Sequence, residues 1–127
     1  MDKQIKTKLL ECYILMVEAL KGYEDRAFQS NKLFELRQYS NQLPDEMNQK
    51  ITEYANNTIR PMIYDADYWA FIEKDEQYGS CDENNHFIVD SDRSLECITF
   101  RKYHHICDLH EKLNAFMLKE FQLDYDY

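Results

Sequence analysis

The sequence predicts a mostly α fold, a four- to five-helix bundle-like single domain, on three observations. Only two Gly, two Pro and two Val occur in 127 residues, whereas a β chain of this length needs Gly at its turns and draws on Val for its strands. Apolar residues, 44% of the chain, recur at three- and four-residue steps over long stretches. No internal repeat, low-complexity tract or linker divides the chain, whose length suits one domain with a modest core.

The first helix is expected over residues 3–21. Ile5, Leu9, Cys12, Met16 and Leu20 form its apolar stripe, with Lys6, Lys8, Glu11, Glu18 and Lys21 largely off it. Gly22 stands where a left-handed cap would end it. A second helix is expected from about 25 to 41, with Phe28, Leu33, Leu36 and Tyr39 or Ser40 on its inner face and Asp25 at the positive end of its dipole. Pro44 opens the third helix, and Asp45 and Glu46 fill its first turn. Met47, Ile51, Tyr54, Ala55, Thr58 and Met62 keep the helical period. Pro61 then removes a backbone donor, so this helix ends near Ile59 or kinks there. Met62, Ala66, Trp69, Ala70 and Glu73 extend helical spacing to about Asp75.

Residues 79–93 are the one irregular segment. Gly, Ser, Asp and Asn flank a short apolar run, Phe87-Ile88-Val89, that suits a short strand, a hairpin or a loop pinned to the core. The last helix is expected from about 94 to 122, on the stripe Leu95, Ile98, Ile106, Leu109, Leu113 and Phe116. A rival pattern pairs His86–Val89 with Leu95–Arg101 as a hairpin. Residues 123–127 (LDYDY) read as a flexible tail, or as a short peptide that docks on a partner.

The net charge of −9 is concentrated in one place. Residues 1–64 hold nine acids and nine bases. Residues 65–92 hold nine acids against the single Lys74, so they carry eight of the nine net negative charges. Such a segment is either a solvated face or a surface for a basic protein partner. Its aromatics favour the second, since rings supply contact area and charge supplies on-rate. The expected partner-binding residues are Asp65, Asp67, Tyr68, Trp69, Asp75, Glu76, Tyr78, Asp82 and Glu83.

Several chemistries find no support. An EF-hand loop begun at Asp82 would need Gly where Phe87 stands and Glu where Arg93 stands. His104, Cys107 and His110 are the only ligand-type cluster and are weak metal candidates, because no second pair is spaced to match them. Arg101 and His105 lie four residues apart, one short of the HEPN ribonuclease spacing, so that activity is not carried over. Two glycines cannot build a phosphate loop. Scattered Lys and Arg residues lack the basic stripe that direct nucleic-acid binding requires. No apolar run approaches the roughly 20 residues of a bilayer span, and the charged N-terminal stretch has no signal-peptide core. Cys12, Cys81, Cys97 and Cys107 form no CxxC pair and suit reduced thiols in a cytoplasmic protein.

The sequence thus points to a non-enzymatic, acidic helical binding protein without a cofactor, of inhibitor, immunity or phage-encoded anti-defence type. Rival expectations are a nucleic-acid mimic, a metal-assisted enzyme on His104, Cys107 and His110, and a structural component. Partner identity and oligomeric state have no signature in the residues.

Overall fold

The computed structural model describes residues 2–70 and 100–124, together with the backbone alone at 80–81, 87–88 and 95–99. Helix α1 (Lys3–Lys21) is the central element. Asp2 caps it, its carboxylate accepting from the Gln4 N–H at 2.7 Å. The predicted stripe is buried from Leu9 onward, and Tyr13, Leu15, Val17 and Ala19 are buried as well. Its inner half is therefore enclosed on most sides, as expected of a helix with neighbours on several faces. The Tyr13 ring is fully buried, and its hydroxyl donates to Asn114 Oδ1 at 2.5 Å, which satisfies a polar tip in an apolar setting. Burial, with Glu11 adding to it, pushes the Cys12 thiol up to about 12, so it is an inert core side chain.

Gly22 does end α1, but not as a left-handed cap: its φ is −87°. Its small size has another reason. A Cβ there would lie 2.4 Å from Phe28 Cδ1, because the Phe28 ring folds back over the turn. Helix α2 (Arg26–Ser40) follows, with Asp25 as its N-cap accepting from the Phe28 N–H at 3.0 Å. With Phe28 turned toward Gly22 and 38% exposed, the buried face of α2 starts at Gln29 instead. That buried amide donates from Nε2 to the Ala19 carbonyl at 2.9 Å and ties α2 to α1. Leu36 and Ser40 continue the face. Outside it, Lys32 pairs with Glu18 across the two helices at 2.9 Å.

Helix α3 (Asp45–Tyr54) has Pro44 at its N-cap, one residue before the position the sequence suggested. The expected end or kink at Ile59 takes a different form. Residues Ala55–Ile59 are a π-helical turn, in which the Arg60 N–H reaches back to the Ala55 carbonyl, and α4 (Arg60–Tyr64) continues from it. In α register the Pro61 ring would clash with the carbonyl four residues earlier. Widening that turn relieves the clash while Ile59, Met62 and Ile63 stay buried.

The predicted helical stretch past Pro61 stops sooner than its spacing suggested. Asp65 is extended (φ −88°, ψ 111°) and ends α4. Helical geometry resumes at 68–70, and the expected continuation to Asp75 lies outside the described residues. In the irregular segment, β1 (Ser80–Cys81) pairs antiparallel with β2 (Phe87–Ile88), Ser80 opposite Ile88 and Cys81 opposite Phe87. Residues 95–101, the rival hairpin strand, are instead the start of α5 (Leu95–Phe121).

Helix α5 lays Ile106, Leu109, Leu113, Met117 and Phe121 against the core. Lys50 of α3 pairs with Glu120 at 3.1 Å, and Tyr54 stacks on Phe116 with centroids 4.3 Å apart. Gln122 turns left-handed (φ 54°), and the next N–H, of Leu123, donates to the Met117 carbonyl. Leu123 is thereby folded back and buried, so the first residue of the expected tail belongs to the core. Among the described residues no helix is long and apolar enough to cross a membrane.

Candidate functional site

The acidic segment begins at a turn whose shape Asp65 sets. Its carboxylate accepts from the Asp67 N–H at 3.0 Å, and its carbonyl accepts from the Tyr68 N–H at 3.2 Å. This Asx arrangement restarts helical geometry after the break. Asp65 and Asp67 are left exposed while Tyr68 and Trp69 turn inward and are half-buried.

Those two rings are held by α5 and by Tyr23 in the turn between α1 and α2. The Tyr68 hydroxyl hydrogen-bonds His105 Nε2. Trp69 meets the edge of Tyr68 at 5.1 Å and the ring of His105 at 5.8 Å, nearly perpendicular in both cases. On its other side Trp69 packs against Tyr23 at 5.8 Å, and Lys102 Nζ sits 5.4 Å from its centroid. Burial lowers the pKa of His105, with Lys112 adding to that effect and Asp108 opposing it. Burial likewise raises the pKa of the Tyr68 phenol. Both groups are thus neutral near pH 7, and the cluster anchors the acidic turn to the helices.

Of the residues expected to bind a partner, Asp65 and Asp67 are therefore displayed together, and Tyr68 and Trp69 serve beneath them as anchors. Asp75, Glu76, Tyr78, Asp82 and Glu83 lie outside the described residues. The metal candidates each have other company. His104 is exposed beside Phe100, ring centroids 4.4 Å apart. Hydrogen bonding to Cys107 raises the pKa of the Tyr103 phenol, which places the thiol beside that ring. His110 Nε2 lies 3.4 Å from the Tyr13 hydroxyl. Among the described residues no three His, Cys, Asp or Glu side chains come together in a way that could hold a metal.

A second feature lies between α2 and the α3–π–α4 helix. It is an open groove of about 210 Å³ with Leu33, Leu36, Ile51 and Ala55 along its floor. Arg37 and Arg60 line it, and no carboxylate does among the described residues. Arg60 is held in place: its Nη1 donates to Asn56 Oδ1 at 3.3 Å, and its guanidinium lies 5.7 Å from the Tyr64 centroid. The Tyr64 hydroxyl in turn meets Ser30 Oγ at 3.0 Å across the groove. Phe34 and Tyr64 are 64% and 59% exposed, far more than rings usually are.

Sequence reasoning missed this groove. The i, i+3 pair Phe34/Arg37 and the i, i+4 pair Arg60/Tyr64 were visible, but each alone reads as an ordinary surface pair. Only the π turn and the packing of α2 on α3 bring them to one cleft. Comparison with known protein families, curated proteins and solved structures finds no match for this chain.

Proposed function

We propose that the chain is a non-enzymatic binding protein that engages a basic protein partner through the acidic segment 65–92, as an inhibitor, immunity or phage-encoded anti-defence factor. The observation that carries this reading is the placement of charge: eight of nine net negative charges fall in one segment, and its first two acids stand exposed on a turn that four packed side chains hold. A fixed acidic surface raises the rate of encounter with a basic protein and lowers the entropy lost on binding.

Asp65 has a local duty as well as a charge, so the test must separate the two. Asp65→Asn keeps a side-chain oxygen for the Asp67 N–H and removes the charge. Combined with Asp67→Lys, Asp75→Lys and Glu76→Lys, it should abolish capture of the partner from host lysate while the helical circular dichroism signal is unchanged. Undiminished capture by the folded variant overturns the reading.

A further inference from the structure

The groove between α2 and the π turn is opposite in character to the acidic segment, and we infer that it docks an acidic peptide carrying an apolar anchor residue. This goes beyond the reading above and does not depend on it. Arg37 and Arg60 line the cleft with no carboxylate of the described residues beside them, in a chain whose net charge is −9. Acids are abundant on this protein, yet none of the described ones lines the cleft or forms an ion pair with either guanidinium.

The form of the site selects a peptide. Arginine presents a planar fork that matches carboxylate geometry, and Arg60 is already oriented by Asn56 and the Tyr64 ring, so less side-chain freedom is lost on pairing. The floor of Leu33, Leu36, Ile51 and Ala55 takes one apolar side chain. A volume of about 210 Å³ falls short of the ~300–1,000 Å³ common for small-molecule sites. The α2 wall from Ser30 to Ser40 is about 15 Å long at 1.5 Å per residue, a length that four or five extended residues would follow at roughly 3.3 Å each. Exposed Phe34 and Tyr64 then close over the backbone as rim rings.

A nucleic acid fits less well. Two guanidiniums neutralise few phosphates, and the strongly negative chain repels a polyanion at long range. The π turn also places the groove where a helix irregularity commonly re-aims side chains at functional sites, here Asn56 and Arg60.

The test uses the full chain and a fluorescein-labelled octapeptide alternating Asp or Glu with Leu and Phe, read by anisotropy. A matched peptide with Asn and Gln in place of the acids is the control. The acidic peptide should bind, with the neutral one weakened by about tenfold or more as the charge-assisted pairs are lost. Arg37→Gln with Arg60→Gln should weaken the acidic peptide by a similar factor and leave the neutral one unaffected. Thr52→Trp, at an exposed lining position, should block both. Because Arg37, Arg60 and Thr52 are exposed, unchanged thermal unfolding serves as the check on folding. No binding of the acidic peptide, equal binding of the two peptides, or full binding by the double Gln variant each overturns the proposal. So does tighter binding of a single-stranded oligonucleotide that Arg60→Gln abolishes.

Discussion

Both the acidic turn and the arginine groove combine aromatic rings with charge, yet they use them in opposite ways. At the turn the rings of Tyr68 and Trp69 are directed inward onto Tyr23, Lys102 and His105, and the carboxylates of Asp65 and Asp67 face solvent. At the groove the rings of Phe34 and Tyr64 stay exposed, and the charges line the cleft beside an apolar floor. Composition alone cannot tell these cases apart. Whether a ring is an anchor or a contact surface depends on what lies behind it, and for helices that is decided by which faces the tertiary packing brings together.

The largest contrast should come from removing rings. Trp69→Ala should destabilise the protein by about 2–3 kcal/mol, less than the roughly 3–5 kcal/mol of fully buried aromatic truncations because Trp69 is only half-buried. Phe34→Ala should stay within about 0.5 kcal/mol, as for other exposed positions. Urea denaturation measures both. Equal costs would erase the distinction between anchor and free ring.

Much of the fold was legible because it rests on local periodicity. The stripe Leu9, Cys12, Met16, Leu20 located α1, and Ile106, Leu109 and Leu113 located the buried face of α5. What was not legible depends on contacts between elements. Phe28 looked like core, but it covers Gly22 and hands its place to Gln29, an amide that no hydropathy pattern would bury. Pro61 announced an interruption without saying that a π turn would absorb it. Leu123 read as tail because only the left-handed step at Gln122 returns it to the core. At the site, the charge count located the acidic segment, of which Asp65 and Asp67 are exposed. That Tyr68 and Trp69 also pack inward had no signal for the same reason the groove was missed: the orientation of rings 33 to 46 residues from their partners in the chain has no short-range signature.

Hydroxyl removal makes a finer comparison of the two places. Tyr68→Phe breaks the bond to half-buried His105 and leaves that ring nitrogen without its partner, which should cost about 1 kcal/mol. Tyr64→Phe removes only an exposed contact to Ser30 and should cost a few tenths of that, about 0.3 kcal/mol. A third tyrosine calibrates the pair. The Tyr54 hydroxyl is buried without a hydrogen-bond partner among the described residues; Thr58 lies near enough to act on it but does not meet bonding geometry. Tyr54→Phe should therefore be neutral or stabilise by up to about 1 kcal/mol, because it removes an unsatisfied group and keeps the stack on Phe116. Destabilisation by Tyr54→Phe would mean that the hydroxyl is satisfied in solution.

The smallest effect separates the regions by pH. His105 has its pKa lowered in the folded protein from an ordinary value of 6.5, chiefly by burial. Between the two values the unfolded chain binds more protons than the folded one, so stability rises with pH there. The stability is fully present above about pH 6.5 and is lost progressively as pH falls through 6.5 toward the folded value. The groove has no such response, since Arg37 and Arg60 remain charged throughout. Trp69 is the only tryptophan in the chain and its ring meets His105 at 5.8 Å, so its emission is sensitive to this titration. Imidazolium formation beside the indole should quench the emission with a midpoint below pH 6.5. His105→Gln should remove that step, and Arg60→Gln should leave it in place. A midpoint at or above 6.5 would mean that the ring titrates in water, and that the acidic turn is not anchored as the packing of Tyr68, Trp69 and His105 implies.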